Sequence, residues 1–233
     1  MPATTLNGIL LFGSVEQPEN CQPYEQFSLT HNPDGTRTLR SITQSPNGTI
    51  FRDVHQTVAA DWRPVEGYAR LFIRGEWQGT IWRRLRGDRL LSELWSPDGT
   101  VDTAEFTVPP HVVLGFHPVV SDSWKLNFYD VEKGGQQELY TFTVSNSWNG
   151  RTLGHGMPLI SHAELLGRER ITVPAGTFEC EHFLWADPFG EQLDVWRWGP
   201  DNLLIQLLVR DAGRFYQLGS LEQSRINIAP AQA

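Results

Sequence analysis

From Tyr24 onward the chain is written in runs of six to ten residues separated by short glycine-bearing turns. "YEQFSLTH" is followed by "NPDG", "TRTLRSITQ" by "SPNG" and "RLLSELWS" by "PDG". Within runs, apolar and polar positions alternate. In 68–74, Ala69, Leu71 and Ile73 fall on one side, and Tyr68, Arg70, Phe72 and Arg74 on the other. A period of two with turn residues at the joints predicts strands of an antiparallel meander. The pairs Asp34-Gly35, Asn47-Gly48 and Asp98-Gly99 permit the positive φ that tight hairpins need. A polar side that carries aromatics fits the outside of a barrel or a wet cavity wall.

The stretch 108–118, "VPPHVVLGFHP", breaks this rhythm, because Pro109, Pro110 and Pro118 are incompatible with a central strand. It predicts a crossover between two halves of one sheet. Strands resume at "ELYTFTVSN" and continue through "RFYQLGSLEQ". Residues 1–23, interrupted by Pro18 and Pro23, read as an irregular or short helical lead-in. No long helical periodicity occurs, and "SDSWKLNFYD" has room for one short helix capped by Ser121 or Asp122. The expected fold is all-β: one domain over 1–233, a curved antiparallel sheet or incomplete β-barrel of about ten strands, with one or two short helices at its mouth.

Composition narrows the function classes. The chain has 233 residues, 39% hydrophobic and 20% charged, which suits a globular core. A formal charge of −8 disfavours nucleic acid as a partner. The basic run "WRRLRGDR" (82–89) surrounds a Gly-Asp turn and reads as a solvated hairpin tip. The apolar run Ile9 to Phe12 is too short for a signal peptide or a membrane span. With only Cys21 and Cys180 there is no disulfide framework, so the expectation is a cytoplasmic protein with free thiols.

Two segments concentrate side chains capable of chemistry. "GFHPVVSDSWKLNFYD" (115–130) holds His117, Asp122, Trp124, Lys125, Tyr129 and Asp130. Pro118 should restrict His117 to the extended region and fix its imidazole, as suits a general base or a structural strand-end histidine. Asp122 and Lys125 are one helical turn apart and read equally as a surface ion pair. "SNSWNGRTLGHG" (145–156) offers Trp148, Asn149 and His155, the last between two glycines that allow close approach of a ligand or make a plain turn. Trp124 and Trp148 would supply flat apolar walls. His182 shares a strand face with Phe178, Cys180 and Leu184, where a satisfied core histidine is the commoner case. Arg197, between Trp196 and Trp198, could clamp a carboxylate of a ligand or of the protein. His117, His155, His162 and His182 lack metal-ligand spacing, and there is neither a phosphate loop nor a serine elbow, so no metal and no cofactor are expected.

The last third carries a resemblance. "ITVPAGTFECEHF" (171–183), the strand bearing Trp196 and Trp198, and "GRFYQL" (213–218) resemble an uncharacterised family of curved antiparallel half-barrels related to the LolA/LolB-like lipoprotein carriers. The resemblance implies a curved sheet around an apolar cavity. The expected partner is therefore a hydrophobic, ring-containing small molecule, with a homo-oligomer as a further possibility. The expected activity is cofactor-independent proton transfer of isomerase, hydratase or lyase type. In it His117 or His155 moves the proton, Asp122 or Asp130 orients it, Tyr129 or Asn149 polarises an oxygen, and the tryptophans hold the ring. The rival expectation is a non-catalytic carrier of apolar molecules, as the resemblance implies.

Overall fold

The computed structural model describes residues 3–45, 47–147, 150–186 and 189–225. Fifteen strands follow one another: β1 (Thr4–Ser14), β2 (Gln17–His31), β3 (Arg37–Gln44), β4 (Ile50–Val58), β5 (Pro64–Ile73), β6 (Glu76–Arg86), β7 (Arg89–Trp95), β8 (Val101–Thr107), β9 (Val113–Gly115), β10 (Gln137–Thr143), β11 (Met157–Val173), β12 (Gly176–Ala186), β13 (Gln192–Trp198), β14 (Leu203–Val209) and β15 (Arg214–Arg225). All belong to one sheet, ordered β8-β7-β6-β5-β4-β3-β2-β1-β15-β14-β13-β12-β11-β10-β9. The chain starts in the middle and walks to one edge at β8. It then crosses to the other edge at β9 and returns until β15 pairs with β1. The proline-rich stretch after β8 makes that crossover, and β9 pairs in parallel with β10.

The Asx-Gly joints are hairpin turns. Gly35, Gly48 and Gly99 have φ of 84°, 79° and 85°. In each turn the preceding Asp34, Asn47 or Asp98 side chain accepts the backbone N–H two residues on.

Three expectations need correction. The described residues form fifteen strands, not about ten. Residues 1–23 are not an irregular lead-in, because β1 and the first part of β2 lie there. Their alternation is masked by Gly8 and Gly13, where the rings of Phe27 and Phe215 occupy the space a Cβ would need. Pro18 and Pro23 are tolerated because β3 pairs only from Glu25 onward, so that end of β2 is locally an edge. Thirdly, "WRRLRGDR" forms the β6–β7 hairpin, yet Arg83 is fully buried rather than solvated.

Arg83 belongs to the seam that brings the two edges of the sheet together. Val54, Ala69, Ile81 and Leu90 of β4–β7 pack against Val108, Val112, Leu114 and Phe116 of the crossover and against Phe142 and Val144 beyond. Through this seam Arg83 donates to the carbonyls of Phe142 and Thr143, both at 2.9 Å, and to that of His155. Arg52 of β4 donates to the carbonyls of Phe116 and Gly150. Two guanidiniums, each bonded only to backbone carbonyls among the described residues, thus bind the first half of the sheet to the loops of the second.

The larger core packs the inner residues of β1–β3 and β10–β15 around a 3-10 segment, Val119–Phe128. Both cysteines are free. Cys180 is fully buried and its thiol is pushed up to about 12 by burial, then by Glu169 and Glu179. Thiol titration of the native protein should therefore count one reactive group, Cys21, and titration after denaturation without reductant should count two. Two native-state groups would remove Cys180 from the core, and none after denaturation would mean a bridge.

Candidate functional site

A cavity of about 380 Å³ opens inside the curved sheet. Its walls come from both halves of the chain. Phe12, Tyr24 and Tyr216, on β1, β2 and β15, form a three-ring cluster with centroids 5.1–6.0 Å apart. Tyr24 reaches it because it is bulged out of the β1–β2 register between Glu25 and Pro23. Such a bulge re-aims consecutive side chains: Tyr24 lines the cavity while Glu25 is buried beneath the 3-10 segment. The same cavity is lined by Thr141 and Thr143 of β10, Ser161 of β11 and Trp185 of β12.

The 3-10 segment lines the cavity and is anchored at its start and its middle. Buried Glu25 accepts the backbone N–H of Val119 at 2.7 Å and of Val120 at 3.1 Å. Burial pushes the Glu25 carboxyl up to about 7 against the lowering effect of those bonds. In the middle of the segment Ser123 and Trp124 donate to the carbonyls of Asn202 and Asp201. Asp122 and Lys125, on either side of that middle anchor, reach the cavity and pair at 2.6 Å, and the ammonium lies 4.5 Å from the Trp185 ring centre.

His117 is half-buried on the cavity wall, its Nε2 3.0 Å from the Thr143 hydroxyl. Burial holds its pKa well below the usual histidine range, and Arg52, Lys125 and Arg83 lower it further. The expected extended backbone is corrected: φ is 67°, in the left-handed region. Here tertiary contacts override the preference imposed by Pro118. Arg52 binds the Phe116 carbonyl, Thr143 binds the ring and Glu25 binds the two amides after Pro118. A strained backbone persists where its surroundings over-determine it.

The other candidates are dispersed. Trp124 is buried against Trp62, away from the large cavity, and lines only a small crevice that it shares with His117. Tyr129 donates to the Gly135 carbonyl at 2.7 Å, and Asp130 accepts the amides of Glu132 and Lys133, so both serve a turn. His155 places Nδ1 2.9 Å from Ser92 Oγ and Nε2 3.2 Å from Asp102, over β7 and β8. His182 and Trp196 stack 4.4 Å apart on the face of their strands opposite to Trp185 and Leu193, which line the cavity. There His182 bridges Glu169 and Asp194. Arg197 holds a carboxylate of the protein, Glu181, at 2.9 Å. Trp148 and Asn149 lie outside the described residues. No metal-holding cluster of His, Cys, Asp and Glu occurs among the described residues. No helix among them is long and apolar enough to cross a membrane.

Of the candidate residues read from the sequence, His117 and Asp122 line the cavity, whereas most of its wall was missed. Phe12 lies in the stretch read as a lead-in, and Tyr24 opens the first strand run without being singled out, although Glu25-x-Phe27-x-Leu29, an acid in step with a buried face, is a legible signal of a buried carboxylate.

No family model matches the chain, and no curated protein matches it. Solved structures do. A β-barrel-like protein of domain of unknown function DUF1849 from Brucella abortus matches with a TM-score of 0.55 at 9% identity, covering 97% of this chain and 98% of that one. A candidate lipoprotein from Parabacteroides distasonis matches at 0.37, with 13% identity and coverage of 95% and 96%. A candidate exported protein with a YmcC-like fold from Bacteroides fragilis matches at 0.31, with 9% identity and coverage of 95% of both chains. The first likeness bears out the all-β, curved, barrel-like fold; at this identity it is a likeness of fold.

Proposed function

We propose that the protein is a carrier that holds an apolar small molecule in the cavity of its curved sheet. The observation that carries this reading is the cavity itself: about 380 Å³, within the range of small-molecule sites, its lining shared between aromatic and aliphatic side chains, among them Phe12, Tyr216, Leu193 and Leu207, and polar ones. The resemblance to lipoprotein-carrier half-barrels supports it. The test is a titration with the neutral probe N-phenyl-1-naphthylamine, whose emission rises in apolar surroundings. A saturable rise is expected, weakened roughly tenfold by Phe12→Ala or Tyr216→Ala, because each removes a large buried contact. A wild-type protein that gives no rise sinks the reading.

Proton-transfer catalysis is a second reading, favoured by the neutral, strained His117 on the cavity wall. Its ring bonds a hydroxyl rather than a carboxylate among the described residues, so its task would be to take a proton directly from a bound ring compound. Under this reading His117→Gln lowers turnover of that compound by roughly 10²–10⁴-fold and leaves probe binding intact. A variant that turns over such a compound at the wild-type rate removes the catalytic reading.

A further inference from the structure

We infer that the ligand is an elongated amphiphile with an uncharged, hydroxyl-bearing head of sugar or glycerol kind, its apolar body in the large cavity and its head in a second chamber along the β1–β2 hairpin. This rests on the carrier reading and adds the ligand's shape and polarity. The second chamber measures about 210 Å³. Phe12, Tyr24 and Gln44 line both spaces, so the two adjoin at the ring cluster. The β1–β2 register explains why. Phe12 stands opposite Gln22, and Ser14 opposite Gln17. Directly opposed residues share a face of the sheet, so Ser14, Gln17 and Gln22 continue the face that Phe12 turns to the cavity. β3 pairs with β2 only from Glu25 onward, which leaves this end of the hairpin without a strand on that side. Gln17, Asn20 and Gln22 are exposed, so the second chamber is where the cavity meets solvent.

The chemistry of the lining names the head. The polar side chains of the second chamber are Ser14, Gln17, Asn20, Gln22 and Gln44, with the Tyr24 hydroxyl, and none of them carries a charge. Asn20 donates to Gln17 at 3.1 Å, which sets these two amides side by side at the rim. Amide and hydroxyl side chains offer donors and acceptors together. A ligand hydroxyl does the same, whereas a carboxylate only accepts and an ammonium only donates. Phe12, Tyr24 and Pro23 add flat apolar surface for a sugar ring or for the first carbons of a chain. The large cavity asks for no counter-charge either. Asp122 pairs with Lys125 and Glu191 with Arg214, each at 2.6 Å, and Arg151 is also engaged. A charged head would therefore exchange water for uncharged partners, and a hydroxylated head exchanges it for matched ones.

The experiment displaces N-phenyl-1-naphthylamine with octyl glucoside, 1-octanoylglycerol, octanol, octanoic acid and octylamine, which carry chains of one length, each below its critical micelle concentration. One of the two polyhydroxylated compounds is expected to displace the probe at roughly tenfold lower concentration than octanol, the worth of one or two added neutral hydrogen bonds, with the acid and the amine no better than octanol. The tighter of the two assigns the head to sugar or to glycerol. Gln22→Leu and Asn20→Leu, both at exposed positions outside the large cavity, should each narrow the gap to octanol while probe binding is retained. Octanol equal to both polyhydroxylated compounds, or a tighter acid or amine, with the probe still bound, overturns the head-group assignment and leaves the carrier reading standing. A gap that survives both substitutions overturns the placement at the hairpin. A wild-type protein that does not bind the probe removes both.

Discussion

Arg83→Ala is expected to lower the unfolding free energy by about 3–5 kcal/mol, the largest single-residue loss in the sheet outside the apolar core. Two effects oppose each other at this position. A guanidinium with no exposed surface and no carboxylate partner among the described residues carries a desolvation cost, which also pushes its pKa down to about 9. Against it stand charge-assisted bonds to three carbonyls, those of Phe142, Thr143 and His155. The bonds win because they join segments that no strand pairing joins: β6 on one side of the seam, β10 and the 150–156 loop on the other. Truncation to Ala leaves the carbonyls unpaired and opens a void. Arg83→Met fills much of the void but not the bonds, and should cost about 1–3 kcal/mol. Urea midpoints at unchanged m-value separate the two variants. A loss below about 1 kcal/mol for Arg83→Ala would show that the seam holds by apolar packing alone.

The same residue shows where the sequence was legible and where it was not. Strand and turn signals are local. Asp34-Gly35, Asn47-Gly48 and Asp98-Gly99 announce hairpins because the turn chemistry lies in those residues, and all three form. The crossover was legible because proline excludes a ladder position wherever it occurs. Arg83 and Arg52 were not legible, since their partners are backbone carbonyls 59 to 98 residues away, which carry no side-chain signature. β1 was lost because its inward positions include glycines shaped by Phe27 and Phe215, so the contact exists only in the fold. The site was half legible for a related reason. Density of ionisable residues drew attention to 115–130, and three of them, His117, Asp122 and Lys125, do face the cavity. Tyr129 and Asp130 lie in the same stretch but are spent on a turn. The aromatic wall is assembled from both ends of the chain, and only the β1–β15 pairing brings Phe12 to Tyr216.

Stability is expected to depend on pH through two groups, buried Glu25 and half-buried His117, acting in opposite directions. Glu25 titrates at about 7 in the folded protein against 4.5 for an ordinary glutamate, because burial disfavours its charge. Its contribution is fully present below pH 4.5, where both states hold the proton. It falls as pH rises, because the unfolded chain gives up the proton first, and is lost above about 7. His117 does the reverse. Its pKa is held well below 6.5, so the unfolded chain gains a proton that the folded protein refuses. Stability on its account is present above 6.5 and is lost as pH falls. The groups that set these values are named by the packing: Asp122 beside Glu25, and Arg52, Lys125 and Arg83 around His117. In the wild type the two slopes offset each other where their ranges overlap, between about pH 4.5 and 6.5, leaving stability nearly flat there. Glu25→Gln keeps a neutral group on the amides of Val119 and Val120 and should unmask a stability that rises with pH from 5 towards 6.5. His117→Gln should unmask a fall between pH 4.5 and about 7 that amounts to about 3 kcal/mol, because a proton held by only one of the two states changes stability by about 1.4 kcal/mol for each step of one in pH. Urea midpoints across this range decide between the outcomes. If the Glu25→Gln curve runs parallel to the wild type, Glu25 titrates as an ordinary carboxylate, and the anchoring of the 3-10 segment does not depend on a buried, half-protonated acid.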